Sequence, residues 1–164
     1  MDKNTELLLQ IFFLQRDHMI GFRANQLVGI IYSVLCELKF QGFKHEYTYT
    51  FKRFQNPNSA ELTEILKELV AGKYLEQARN QKGETVYKLG VKGALLGKKL
   101  TAVDPAVQNC LMAWIGYFLP LNNSSVDRHL YDRCKVNSLE IGDSIHLTNP
   151  FIQKRRYEDF DDAF

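Results

Sequence analysis

Residues 58–100 read NSAELTEILKELVAGKYLEQARNQKGETVYKLGVKGALLGKKL, and the fold is decided in this stretch. Leu62, Ile65, Leu66, Leu69 and Val70 recur at i, i+3, i+4, i+7 and i+8, the spacing that lines one face of an α-helix. Asn58 is expected to cap that helix, with Glu61 three residues later completing a capping box. Gly72 is expected to close it in a left-handed conformation, because a glycine there meets no Cβ clash. Tyr74 to Gln77 then leaves as a strand, Asn80-Gln81-Lys82-Gly83 turns, and Glu84 to Leu89 returns to close a hairpin. A short glycine-bearing helix from Val91 to Leu100 follows.

Upstream, Leu7, Leu8, Ile11, Phe12 and Leu14 predict a helix over Thr5 to Gln15, apolar on so much of its circumference that it must be central or sit at an interface. Gly21 breaks it, and a second helix runs from about Arg23 to Lys39. Between Phe43 and Phe54 the period changes to two, with Tyr47, Tyr49 and Phe51 on one side and Glu46, Thr48, Thr50 and Lys52 on the other. This arm either packs its aromatic row on the helices or offers an edge to a partner strand. Downstream, Asp104-Pro105 opens a helix holding Val107, Leu111, Trp114, Ile115 and Phe118 and stopping at Pro120. Asn122 to Ser125 reads as a polar turn into a weaker amphipathic stretch with Val126, Leu130, Tyr131 and Cys134. Beyond Pro150 the chain separates into basic Lys154-Arg155-Arg156 and acidic Glu158-Asp159-Phe160-Asp161-Asp162, ending on Phe164.

A chain of 164 residues has room for one compact domain plus an appendage. Its 45% hydrophobic and 24% charged content is globular, and a net charge of +2 is too mild to announce nucleic acid by itself. Cys36, Cys110 and Cys134 form no CxxC pair and read as reduced core cysteines of a cytoplasmic protein. The apolar run Leu7 to Leu14 is too short to span a bilayer, and no membrane association is expected.

A capped amphipathic helix, a glycine, a hairpin and then YKLGVKGALL resemble the helix and wing of winged-helix proteins, whose second wing strand runs into a Y-x-L-T-x-x-G-x-x-L segment. Tyr87, Leu89, Gly93 and Leu96 match it, with Gly90 in place of the threonine. A narrower resemblance, carried by Phe51 to Leu62 with asparagine where the family has glycine, is to the Panacea-type antitoxin-associated domain and to the small middle subunits of three-component, Lamassu-type ABC-ATPase defence systems. The fold so implied is α+β, mainly helical: a winged helix-turn-helix core over 1–101, a C-terminal helical appendage over 102–149, and a charged aromatic tail over 150–164. The function implied is that of a non-catalytic accessory subunit in a bacterial anti-phage or anti-plasmid complex, with an SMC-like ABC ATPase and an effector nuclease as partners. An antitoxin-like DNA-binding repressor, dimeric in that case, is the alternative.

The charge pattern separates these readings. In a DNA-reading winged helix the helix before the wing enters the major groove, yet this one carries Glu61, Glu64 and Glu68 outward, which phosphates repel. It is either a solvated face or a protein-docking one. Arg79, Lys82, Lys88 and Lys92 around the wing are the expected nucleic-acid backbone contacts, a face that equally serves solubility. Tyr47, Tyr49, Phe51, Glu61, Glu64, Glu68, Tyr157, Phe160 and Phe164 are the expected partner contacts, since aromatic side chains anchor interfaces. No catalytic or metal-binding constellation is legible: the four histidines are dispersed, and Gly90, Gly93 and Gly97 with Lys98-Lys99 fail the phosphate-loop spacing. No cofactor is expected.

Overall fold

The chain, a computed structural model, is described over residues 1–17, 20–44, 46–54, 56–100, 104–133, 141–146 and 152–153. It is an α+β protein, mainly helical, with two small antiparallel sheets. The first helix, α1 (Lys3–Leu14), starts where the Asp2 carboxylate accepts the Thr5 amide at 2.8 Å. Leu7 through Phe13 are all buried, the fate of a helix apolar on every side. The second helix, α2 (Ala24–Phe40), buries Leu27, Ile30, Ile31, Val34, Leu35 and Leu38. Between the two, Phe22 packs edge-to-face on Phe12, with ring centroids 5.4 Å apart.

The aromatic arm lies inside. Tyr47, Tyr49 and Phe51 are 8%, 0% and 1% exposed. Only Thr50–Phe54 (β1) enters a sheet, so the strand expected from Phe43 begins later than its alternation predicts. Residues 46–49 instead dock on the start of α1: Asn4 accepts the Thr48 amide at 2.9 Å and donates to its hydroxyl at 3.1 Å, and the Tyr49 hydroxyl donates to the Asn4 carbonyl. Nor is β1 an edge. It pairs with β2 (Asn56–Asn58) on one side and, through Phe51 opposite Ile145, with residues 144–146 on the other. Pro57 is tolerated because β2 is the outer strand.

Helix α3 (Ala60–Ala71) corrects the expected cap. Ser59, not Asn58, accepts the Leu62 amide at 3.3 Å, while its own hydroxyl donates to Glu61 at 3.0 Å. Asn58 is taken up by β2, so the capping box does not form. At the other end Gly72 keeps right-handed angles, and Lys73 takes the left-handed conformation at φ 64°. The amides of Lys73 and Tyr74 reach back to the carbonyls of Val70 and Leu69, the paired bonds of a Schellman closure.

The hairpin follows as β3 (Leu75–Arg79) and β4 (Thr85–Leu89), with Leu75 opposite Leu89 and Arg79 opposite Thr85. Its tip is tied by Asn80, whose side-chain oxygen accepts the amides of Lys82 and Glu84, and Gly83 supplies the positive φ that the turn needs. Phe22 and Tyr87 exchange both backbone hydrogen bonds, at 2.9 and 2.8 Å, so the segment between α1 and α2 flanks the hairpin as a third line of chain.

Helix α4 (Val91–Leu100) packs along α1, and a Cβ at Gly97 would run into the Phe13 ring. Helix α5 (Pro105–Phe118) begins as expected, with Asp104 accepting the Ala106 amide, and lies along α2. Gly29 of α2 admits the Phe118 ring, and the buried Gln26 amide donates to the carbonyls of Phe118 and Leu119 at 3.0 and 3.2 Å, satisfying the end of α5. Helix α6 (Asn123–Arg133) includes the expected polar turn as its first turn, with Asn122 accepting the Ser125 amide. One buried cluster runs through α1, α2, the arm, α3, α5 and α6. Strands β5 (Ser144–His146) and β6 (Ile152–Gln153) complete the four-stranded sheet in the order β2-β1-β5-β6.

Candidate nucleic-acid interface and partner surfaces

A groove of about 610 Å³ lies between residues 20–23 and the hairpin. Its walls carry Arg23, Arg79, Lys82 and Lys88 against one carboxylate, Glu84. The approach of the two walls depends on Gly21, where a Cβ would lie 2.7 Å from the Tyr87 carbonyl oxygen. The Phe22–Tyr87 bridge then fixes Arg23 beside β4. The Arg23 amide donates to Gln26 at 2.9 Å, and its guanidinium donates to the Leu121 carbonyl, so it is pinned where α2 meets the end of α5.

The other three cations arise from the hairpin itself. Arg79 ends β3 and donates to the Gly83 carbonyl at 2.8 Å, Lys82 sits exposed at the tip, and Lys88 is half-buried on β4. None of these three forms an ion pair with a described residue. Glu84 is engaged elsewhere: one oxygen accepts from the Asn80 amide at 3.0 Å and the other from Asn123, which joins the hairpin to the start of α6. The groove thus holds three cations without an ion partner among the described residues, Arg79 and Lys82 exposed to water, the arrangement that exchanges counterions for phosphate oxygens.

Three of the four expected backbone residues, Arg79, Lys82 and Lys88, come together here, whereas Lys92 is exposed near the start of α4 and lines no part of the groove. Arg23 is a fourth cation that the sequence pattern does not single out. Its signal is a short extended segment, Gly21-Phe22-Arg23, trapped between two helices, but no local pattern says that it pairs with residue 87, far along the chain.

The expected partner contacts divide. On α3, Glu64 and Glu68 are exposed and Glu61 half-buried. The Lys67–Glu64 pair at 3.7 Å has both side chains at least two-thirds exposed, so it contributes little and leaves the face acidic. Tyr47, Tyr49 and Phe51 are corrected as partner contacts: their shared face is filled by the helices, with the Tyr32 ring edge-on to Phe51 at 5.2 Å. Burial holds the Tyr49 hydroxyl well above the usual tyrosine range, and burial with Glu6 and Glu46 nearby raises Tyr47. Tyr157, Phe160 and Phe164 lie outside the described residues.

The buried Cys110 thiol is held protonated. Burial, with the Glu37 carboxylate accepting its proton at 3.1 Å, pushes the Cys110 thiol up to about 12, leaving almost no thiolate at neutral pH. The same Glu37 oxygen accepts from the Trp114 indole at 2.6 Å. Among the described residues no group of three or more His, Cys, Asp or Glu side chains is placed to hold a metal ion, and no helix is long and apolar enough to cross a membrane. Comparison with models of protein families, with curated proteins and with solved structures gives no match.

Proposed function

We propose that this chain is a non-catalytic winged-helix adaptor that grips nucleic-acid backbone in the groove beside its hairpin and presents the acidic face of α3 to a protein. The element order supports the winged-helix reading: α1, a short paired segment at Phe22, α2, α3, then β3 and β4, with Phe22 joined to Tyr87. In this reading the turn between α2 and α3 is replaced by the arm and the strands built on it, and α5 and α6 are the C-terminal appendage. The observation that carries the function is the gathering of Arg23, Arg79, Lys82 and Lys88 in one groove, on elements other than the acidic helix. Backbone contacts of this kind position a protein without reading sequence.

Under the resemblance noted above, the protein partner is an SMC-like ABC ATPase working with an effector nuclease. Two pairs of variants separate the surfaces. Arg79→Ala with Lys88→Ala should weaken binding to duplexes of every sequence and lessen the salt slope by about 1 for each cation removed from the phosphates. Glu64→Lys with Glu68→Lys should leave that binding intact and abolish association with the partner on co-purification. Duplex binding unaffected by the first pair defeats the groove. A strong preference for one duplex sequence, abolished by the second pair, favours the repressor reading instead.

A further inference from the structure

We infer that Asn123 is a positioning residue for the groove: its side-chain amide holds the Glu84 carboxylate off the groove's cations and leaves them free for phosphate. This rests on the groove reading proposed above. Among the described residues Glu84 is the one carboxylate lining the groove. It precedes Thr85, which stands opposite Arg79 in the hairpin register, and it lies two residues from Lys82. An untied carboxylate beside exposed cations is drawn to them. Yet no ion pair joins Glu84 to Arg79, Lys82 or Lys88, and the Arg79 guanidinium donates to the Gly83 carbonyl instead.

Both Glu84 oxygens are occupied by amides. Asn80, which donates to one at 3.0 Å, belongs to the same hairpin and moves with it, whereas Asn123, which donates to the other, belongs to α6. The orientation of the Asn123 amide follows from its neighbours, because a carboxylate only accepts. Asp127 accepts from the Asn25 amide at 3.4 Å, the same amide donates to the Asn123 oxygen at 3.2 Å, and the Asn123 nitrogen is thereby turned to Glu84. The chain that carries Asn123 is fixed in turn: Gln26 donates to the Phe118 and Leu119 carbonyls, and Arg23 to the Leu121 carbonyl. Residues 118–123 therefore join both walls of the groove, α2 through Arg23, Asn25 and Gln26, and the hairpin through Glu84. The end of α5 and the start of α6 thus serve the groove as well as the core.

The test is a double-mutant cycle on the full chain, read as affinity and salt slope for a short DNA duplex of arbitrary sequence. Asn123 is exposed and alanine is a good helix former, so Asn123→Ala should keep the fold, and it changes no charge. It should weaken binding about two- to fivefold, the worth of one exposed ionic contact, and lessen the salt slope by up to about 1. Glu84→Gln should bind at least as tightly as the unaltered chain, and adding Asn123→Ala to it should cost nothing further. A merely structural role for Asn123 predicts instead a loss that Glu84→Gln does not repair. In the free protein the side-chain nitrogen resonances of Arg79 or Lys82 should shift on Asn123→Ala and return in the double variant. Asn123→Ala binding as well as the unaltered chain overturns the inference, and so does a double variant no tighter than Asn123→Ala alone. If the unaltered chain binds no duplex, the groove reading falls; the resonances then decide, shifted ones sustaining the tether and unshifted ones overturning it.

Discussion

The arm at residues 46–54 and the hairpin at residues 75–89 begin alike, as short extended segments with aromatic and basic side chains, and end in opposite environments. The arm's Tyr49 and Phe51 are closed inside the core, whereas the hairpin keeps Arg79 and Lys82 in water. Alternation fixes which residues share a face; what stands opposite that face decides its use. The arm meets α1 and α2 with apolar groups and with Asn4, a buried amide that satisfies its backbone. The hairpin meets residues 20–23, which bring a further cation and leave a groove between. One segment is structural; the other keeps its cations in water, where the proposed backbone contacts would form.

The largest effect should come from emptying the arm's core position. Phe51→Ala is expected to cost about 3 to 5 kcal/mol in urea unfolding, as buried aromatic truncations do. A loss below about 0.5 kcal/mol, the range of surface changes, would return Phe51 to the surface and make the two segments alike. Next, Tyr49→Phe removes the hydroxyl donated to Asn4 and should cost about 1 to 2 kcal/mol. It should also flatten the alkaline limb of stability. The folded-state hydroxyl titrates well above the ordinary value near 10, so the native state holds its proton more tightly and stability falls as pH climbs above 10; the variant lacks that titration.

Much of the helical frame is legible because its signals are local. Asp104 ahead of Pro105, the spacing of Leu62 to Val70 and the Asn80–Gly83 turn each act within a few residues, and the structure places them as expected. Signals that depend on distant chain are not legible. Nothing near residues 144–146 announces a strand, because its reason to exist is β1 nearly a hundred residues earlier. The same pairing withdraws β1 from the edge, and neighbouring competition explains the shifted cap: Asn58 is held in β2, and the role passes to Ser59. Of the groove, the lysines and Arg79 are visible as a basic cluster, while Arg23 is not, since only the Phe22–Tyr87 bridge delivers it.

A small expected effect concerns the entry to the hairpin. Lys73 holds a left-handed conformation that a glycine adopts without steric conflict, so Lys73→Gly should stabilise the fold by about 1 kcal/mol or less once the extra freedom of the unfolded chain is offset. Thermal unfolding reads it. Because Lys73 lines no part of the groove, duplex binding should stay unchanged, which separates the hairpin's anchoring from its charge.

The contrast between a buried arm and an exposed, basic hairpin is tested most directly by following backbone amide resonances of the full chain while a short DNA duplex of arbitrary sequence is added. Shifts should concentrate at residues 20–23 and 79–88, with the exposed side of α3 around Glu64 and Glu68 unmoved. Shifts centred on that acidic helix, or none anywhere at low salt, would contradict the account.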